Sequence, residues 1–145
     1  MRKIISLTTF FLILLIPISV AFAQVQTRIR VIEASNVGSS IDPSLRDVQS
    51  ELKSLPNFTS YRLLKDENLA LHPNRPVDIP VHKERSLEIT LMGQRKDMAE
   101  CRVKIKQGKM DILNTQVRLF SGRTVLIVGP KHGEGVVIIA LSARF

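Results

Sequence analysis

Between residues 86 and 145 apolar and polar side chains alternate with a period of two, segment after segment, the pattern of half-buried β-strands. Five antiparallel strands are expected there, at 86–92, 98–106, 112–120, 124–128 and 136–145. In the second, Ala99, Cys101, Val103 and Ile105 alternate with Glu100, Arg102, Lys104 and Lys106. In the third, Leu113, Thr115, Val117 and Leu119 alternate with Asn114, Gln116 and Arg118. Both apolar sets are odd-numbered, so they share a face only if paired residue numbers sum to an even value, which an odd-length loop provides. Gly108-Lys109-Met110, between Gln107 and Asp111, meets that condition. It predicts Ile105 opposite Leu113, Cys101 opposite Val117, and Glu100 opposite Arg118 on the wet face, the last pair worth about 0.2–1 kcal/mol.

Ser121-Gly122 reads as a two-residue hairpin, which would place Thr124, Leu126 and Val128 on the face of Val117 and Leu119. Residues 129–135, with three glycines and Pro130, read as a longer loop. The stretch 136–141 is apolar on both faces, as befits a strand that is central, covered on both sides, or in contact with another surface. Val136, Ile138 and Ala140 are its candidate interface set.

Upstream, Ile29 and Val31 alternate with Arg28 and Arg30 in a first strand over 26–33. Asp42-Pro43 then starts a helix, Asp as N-cap and Pro at the first helical position. Leu45, Val48, Leu52 and Leu55 follow at spacings of three, four and three, an apolar stripe opposite Arg46, Gln49, Ser50 and Lys53. Pro56-Asn57 ends this short amphipathic helix, which needs a sheet to lie on. A second strand is expected over 58–65, with Tyr61 and Leu63 on one side, a turn at Asp66-Glu67-Asn68, and a partner strand from Leu69 to Leu71. Residues 77–81 read as an edge strand, because Pro80 cannot donate to a ladder. The expected fold is α+β: a mostly antiparallel sheet, as a sandwich or a partly closed barrel, with one amphipathic helix near the N-terminus.

At the start of the chain Arg2 and Lys3 precede an apolar run to Val20, ending Ala21-Phe22-Ala23. Basic start, apolar core and small-x-small ending are the parts of a secretory signal peptide cleaved after Ala23, in preference to a retained membrane anchor. Residues 24–145 would then form a single mostly-β domain, periplasmic or secreted. Removing Arg2 and Lys3 from 21 basic residues leaves 19 against 13 acidic, a charge of +6. That moderate charge reads either as solubility or as affinity for an anionic surface such as lipid head groups, acidic glycans or an acidic partner. Nucleic acid is not expected as a partner of an exported chain with so few aromatic rings for stacking. Arg102, Lys104, Lys106, Lys109 and Arg118 form one coherent basic patch on the polar face of the strand series.

The run Val31-Ile-Glu-Ala-Ser-Asn36, then Ile41-Asp-Pro-Ser-Leu45, the helix, and Phe58-Thr-Ser-Tyr-Arg-Leu-Leu64 resembles a loosely defined group of short exported bacterial proteins of unknown function. Their C-terminal strands likewise close with a Gly-Pro loop, matched here by Val128-Gly-Pro130. The resemblance implies export and an antiparallel fold, and brings no activity.

Chemistry is sparse. His72, His82 and His132 lack the short fixed spacings of zinc sites, even with Asp66, Glu67, Asp78, Glu84 and Glu134 as candidate oxygen ligands, so no metal and no cofactor are expected. There is no Gly-x-Ser-x-Gly elbow, and the single cysteine, Cys101, sits among the apolar positions of its strand as a small buried hydrophobe. Lys131, His132 and Glu134 among the glycines of 129–135 suggest an anion cradle, but no strand-loop-helix context supports one. Asn57-Phe58-Thr59 is formally a glycosylation acceptor, and Asn57 is read as a turn residue. No catalytic residue is assigned. The expected role is a non-enzymatic envelope interaction or accessory protein, whose partner is another envelope protein, a second copy or a membrane surface. One alternative is a module that binds an anionic ligand through the basic sheet face. Another is a small outer-membrane barrel, suggested by Val137, Ile139, Leu141 and Ala143 alternating up to Phe145, and opposed by the missing aromatic girdles and the helix.

Overall fold

The computed structural model describes residues 24–55, 57–82 and 84–145; the expected leader at 1–23 lies outside them. Among the described residues, eight strands form two four-stranded antiparallel sheets. The first sheet has the order β2-β1-β8-β7, with β1 at Val25–Ser35, β2 at Ser60–Leu71, β7 at Thr124–His132 and β8 at Gly135–Arg144. The second is a sequential meander, β3 (Val77–His82), β4 (Arg85–Gln94), β5 (Met98–Gln107) and β6 (Met110–Phe120). The α+β expectation holds, as a sandwich. The sheets do not close into a barrel, because β3 and β6 end one sheet and β2 and β7 end the other.

The predicted register of β5 on β6 is present: Ile105 faces Leu113, Cys101 faces Val117 and Glu100 faces Arg118. The device differs. Gln107 pairs directly with Met110 across a two-residue turn, and a bulge between Ile105 and Lys106 in the ladder restores the parity. Gly108 takes a positive φ of 58° in that turn, as its place requires.

Three expectations are corrected. The Asp66-Glu67-Asn68 turn is absent and β2 runs straight through it, because pairing with β1 and a two-pronged Arg28–Asp66 contact outweigh the local turn preference. Ser121-Gly122 does not join a hairpin. It carries the chain from the second sheet to the first, so hairpin parity does not apply: Val125 and Ile127 face Val117 and Leu119, while Leu126 faces the other way. The loop expected at 129–135 shrinks to a turn, His132 pairing with Gly135, with a bulge between Val128 and Lys131 absorbing the Gly-Pro step.

The core has two parts. Between the sheets lie Ile29, Val31, Leu87, Ile89, Leu91, Cys101, Val103, Leu119, Ile139 and Leu141. The barrel reading therefore fails on the side it needed: its lipid-facing set, Val137, Ile139, Leu141 and Ala143, is buried between sheets. On the outer face of the first sheet, Ile32, Ala34, Tyr61, Ile138 and Ala140 are covered by the helical segment through Leu45, Val48 and Leu52. That segment is a 3₁₀ helix, Pro43–Val48, followed by α1, Gln49–Lys53, rather than one α-helix to Leu55. Its spacing explains the change. Leu45 and Val48, three apart, eclipse on a three-residue turn, and Leu52, four further on, falls on the same side of an α turn. Asp42 caps the start through the Ser44 amide at 3.0 Å, and the buried Tyr61 hydroxyl donates to the Leu52 carbonyl at 2.8 Å, tying the far end of the segment to the first sheet.

Candidate functional site

The outward positions of β1 read Gln26, Arg28, Arg30, Ile32, Ala34, polar for half the strand and apolar for the rest. β8 runs the other way and changes one pair sooner, Ala140 lying opposite Arg30: Arg144, Ser142, Ala140, Ile138, Val136. The helical segment covers the apolar half. The polar half stays open as a basin of about 690 Å³. Its floor is a grid in which Gln26 pairs with Arg144, Arg28 lies between Asn68 and Ser142, and Ser142 in turn faces Thr124. Asp47 and Glu51 of the helical segment form one wall, and the Gly122-Arg123 turn forms another. The turn is pinned where it is by the Gly122 amide, which donates to the Ala143 carbonyl at 2.9 Å, and by Arg123 lying over the Phe120 ring, 5.9 Å from its centroid.

Arg30 sits on this floor and is 1% exposed, the largest fully buried side chain of the described residues. Its Nη1 donates to Asp47 Oδ1 at 2.7 Å. Its Nε is buried and, among the described residues, has no acceptor. A buried donor left unmet costs about 1–3 kcal/mol, so this is an unusual place for one. Arg28 shows what the same edge of a guanidinium does when supplied: its Nε and Nη2 grip Asp66 Oδ1 and Oδ2 at 2.9 and 2.7 Å. Asp47 also approaches Arg28, 3.8 Å from its Nη1, so one carboxylate serves both arginines.

These contacts fix the titration. Hydrogen bonding from Arg30 holds the Asp47 carboxyl below its usual range, and hydrogen bonding from Arg28 does the same for Asp66. A carboxylate with a depressed folded pKa contributes stability that is present above its unfolded value, near 3.9, and lost as pH falls through the folded value. The melting temperature is expected to hold from neutral pH to about 5 and to fall below about 4. The Asp47→Asn/Asp66→Asn double variant, less stable at pH 7, should show a shallower acid limb, measured by circular dichroism melts; equal limbs would count against these pairs.

The basic patch lies elsewhere, on the outer face of the second sheet, and acids interrupt it. Lys106 Nζ contacts Glu88 at 2.5 Å, Lys104 lies 3.9 Å from Asp111, and Arg118 pairs in register with Glu100. Lys109 is exposed in the β5–β6 turn, and Arg102, half-buried, faces Gln116. The patch is thus a mixed-charge sheet face. The candidate interface strand is covered by its own chain: Ile138 and Ala140 are buried beneath the helical segment, and Val136 is half-buried beside them. Among the described residues no group of three His, Cys, Asp or Glu side chains could hold a metal ion. Cys101 is buried, and burial pushes its thiol up to about 11, which withholds the thiolate.

The basin residues Arg123 and Arg144 drew no attention in the sequence, and Arg28 and Arg30 only as the polar alternates of a strand. The usable signal was the shared change of character halfway along the outward positions of β1 and β8. Fold and site define a three-layer β-sandwich with a buried arginine at the floor of a polar basin. No family model, no curated protein and no solved structure matches this chain.

Proposed function

We propose that this is an exported, non-enzymatic cell-envelope accessory protein that binds an anionic ligand in the basin on the first sheet. The observation that carries the reading is Arg30, buried at the basin floor with its Nε unmatched. A purely structural tie between helix and sheet gains little from burying an ion pair, since an apolar pair of similar volume does as well or better. A small side-chain shift that uncovers the buried Nε of Arg30 would let an oxyanion in the basin supply the missing acceptor, with Arg144 on the floor and Arg123 in the wall adding charge. Export rests on the leader pattern at 1–23 and on the resemblance to short exported proteins. The anionic preference moves from the second sheet to the first because, among the described residues, only the basin floor leaves a buried guanidinium donor unmet; acids stand beside the basic side chains on both faces.

Citrate is a suitable probe. It should raise the melting temperature saturably, since a ligand at 100 times its Kd stabilises by about 2.7 kcal/mol. The shift should shrink with added sodium chloride and vanish in Arg123→Gln/Arg144→Gln, while Arg102→Gln/Lys104→Gln/Lys106→Gln keeps it. A shift lost only in the triple variant would return the site to the second sheet, and no saturable shift at all would end the reading.

A further inference from the structure

We infer that the ligand is a polyhydroxylated carboxylate, an acidic sugar unit, and this deepens the anion-binding reading on which it rests. The basin offers more than positive charge. Hydroxyl and amide side chains reach it from all four strands of the sheet: Gln26, Asn68, Thr124 and Ser142. Apolar surface comes from the stems of polar side chains, and no large hydrophobic side chain lines the basin, which gives an acyl chain little to lie against. Its volume, about 690 Å³, falls within the 300–1,000 Å³ of sites for ligands far larger than a single inorganic anion.

The helix wall sets the second requirement. Asp47 and Glu51 are acceptors without donors, and a bare oxyanion beside them is repelled. Asp47 is already charge-matched by Arg30 and Arg28, so a neutral O–H suits it better than an ammonium group, and Glu51, which accepts one hydroxyl from Ser50 Oγ at 2.9 Å, has acceptor capacity for another. The ligand must therefore bring a carboxylate to the arginines and hydroxyl donors to the acids. A uronic acid carries both on one ring. It comes either free or as a unit of an acidic polysaccharide.

The test is calorimetric titration of the purified protein with galacturonate, trigalacturonate, galactose and citrate. Trigalacturonate or galacturonate should bind at least tenfold more tightly than citrate, and galactose should not bind measurably. Equal affinity per site for the monomer and trimer would mark a free acid, and a preference for the trimer would mark a polymer unit. Glu51→Gln should narrow the galacturonate-over-citrate preference severalfold without weakening citrate. Arg144→Gln should weaken both. Citrate binding as tightly as the uronates would overturn the sugar assignment and leave the anion site standing. Galactose binding as tightly as galacturonate, or no binding by any anion, would overturn both.

Discussion

Replacing Ile138 by Asp is expected to leave the protein unfolded at 25 °C. Ile138 is fully buried, between the first sheet and the helical segment, with Leu45, Val48, Leu52 and Tyr61 in the same cluster. The change forfeits about 1.5–3 kcal/mol of side-chain burial and adds an unpaired carboxylate, which either stays charged at a cost of several kcal/mol or takes up a proton. Neighbouring Ala140 offers no partner. Against a total stability of about 5–15 kcal/mol, that loss removes most or all of the margin. Ile138→Val is the control and should cost about 0.5–1.5 kcal/mol. Far-ultraviolet circular dichroism and a urea titration separate the outcomes. A folded Ile138→Asp monomer that merely fails to self-associate would revive the interface role for Val136, Ile138 and Ala140.

Gly135→Ala is the second large effect. A Cβ built on Gly135 would stand 1.9 Å from the Ala34 carbonyl oxygen and 2.8 Å from its carbon, far inside contact distance. The obstacle is backbone, which has no rotamer to yield. Relief requires β8 to part from β1 near Ala34–Val136, the last pair of their ladder, and so to loosen the lid over Ile32 and Ile138. The expected loss is at least the 1–3 kcal/mol typical of overpacking, read as a lower urea midpoint. Gly93→Ala, where an added Cβ meets nothing within 4 Å, should leave the midpoint nearly unchanged. A Gly135→Ala midpoint equal to that of Gly93→Ala would show that this end of the sheet opens freely.

Much of the fold was legible because alternation is a local property. The odd-numbered faces of β5 and β6, the edge placement of β3 signalled by Pro80, and the stripe Leu45-Val48-Leu52 all follow from residues close in sequence. Sheet membership was not legible. A strand's period tells which side is buried and says nothing of which neighbour it joins, so Ser121-Gly122 read as a hairpin although it bridges two sheets. Turn chemistry misled at Asp66-Glu67-Asn68 because the ion pair that keeps β2 straight comes from Arg28, 38 residues away. The basin was hidden for the same reason. Its arginines are ordinary polar alternates until β1 and β8, at opposite ends of the chain, are set side by side.

That pairing also dictates an order of assembly. The meander β3–β6 is made of sequence neighbours and can close its hairpins as soon as they exist. The other sheet cannot. Its two inner strands pair Gln26 with Arg144, so β1 must wait, unpaired on one side, until the final strand has arrived. A chain with this wiring keeps its first sheet incomplete until β8, Gly135–Arg144, has been made. Half of it can be structured while Arg28 and Arg30 still lack the Arg144 side of their floor, and the basin is complete only when β1 and β8 meet.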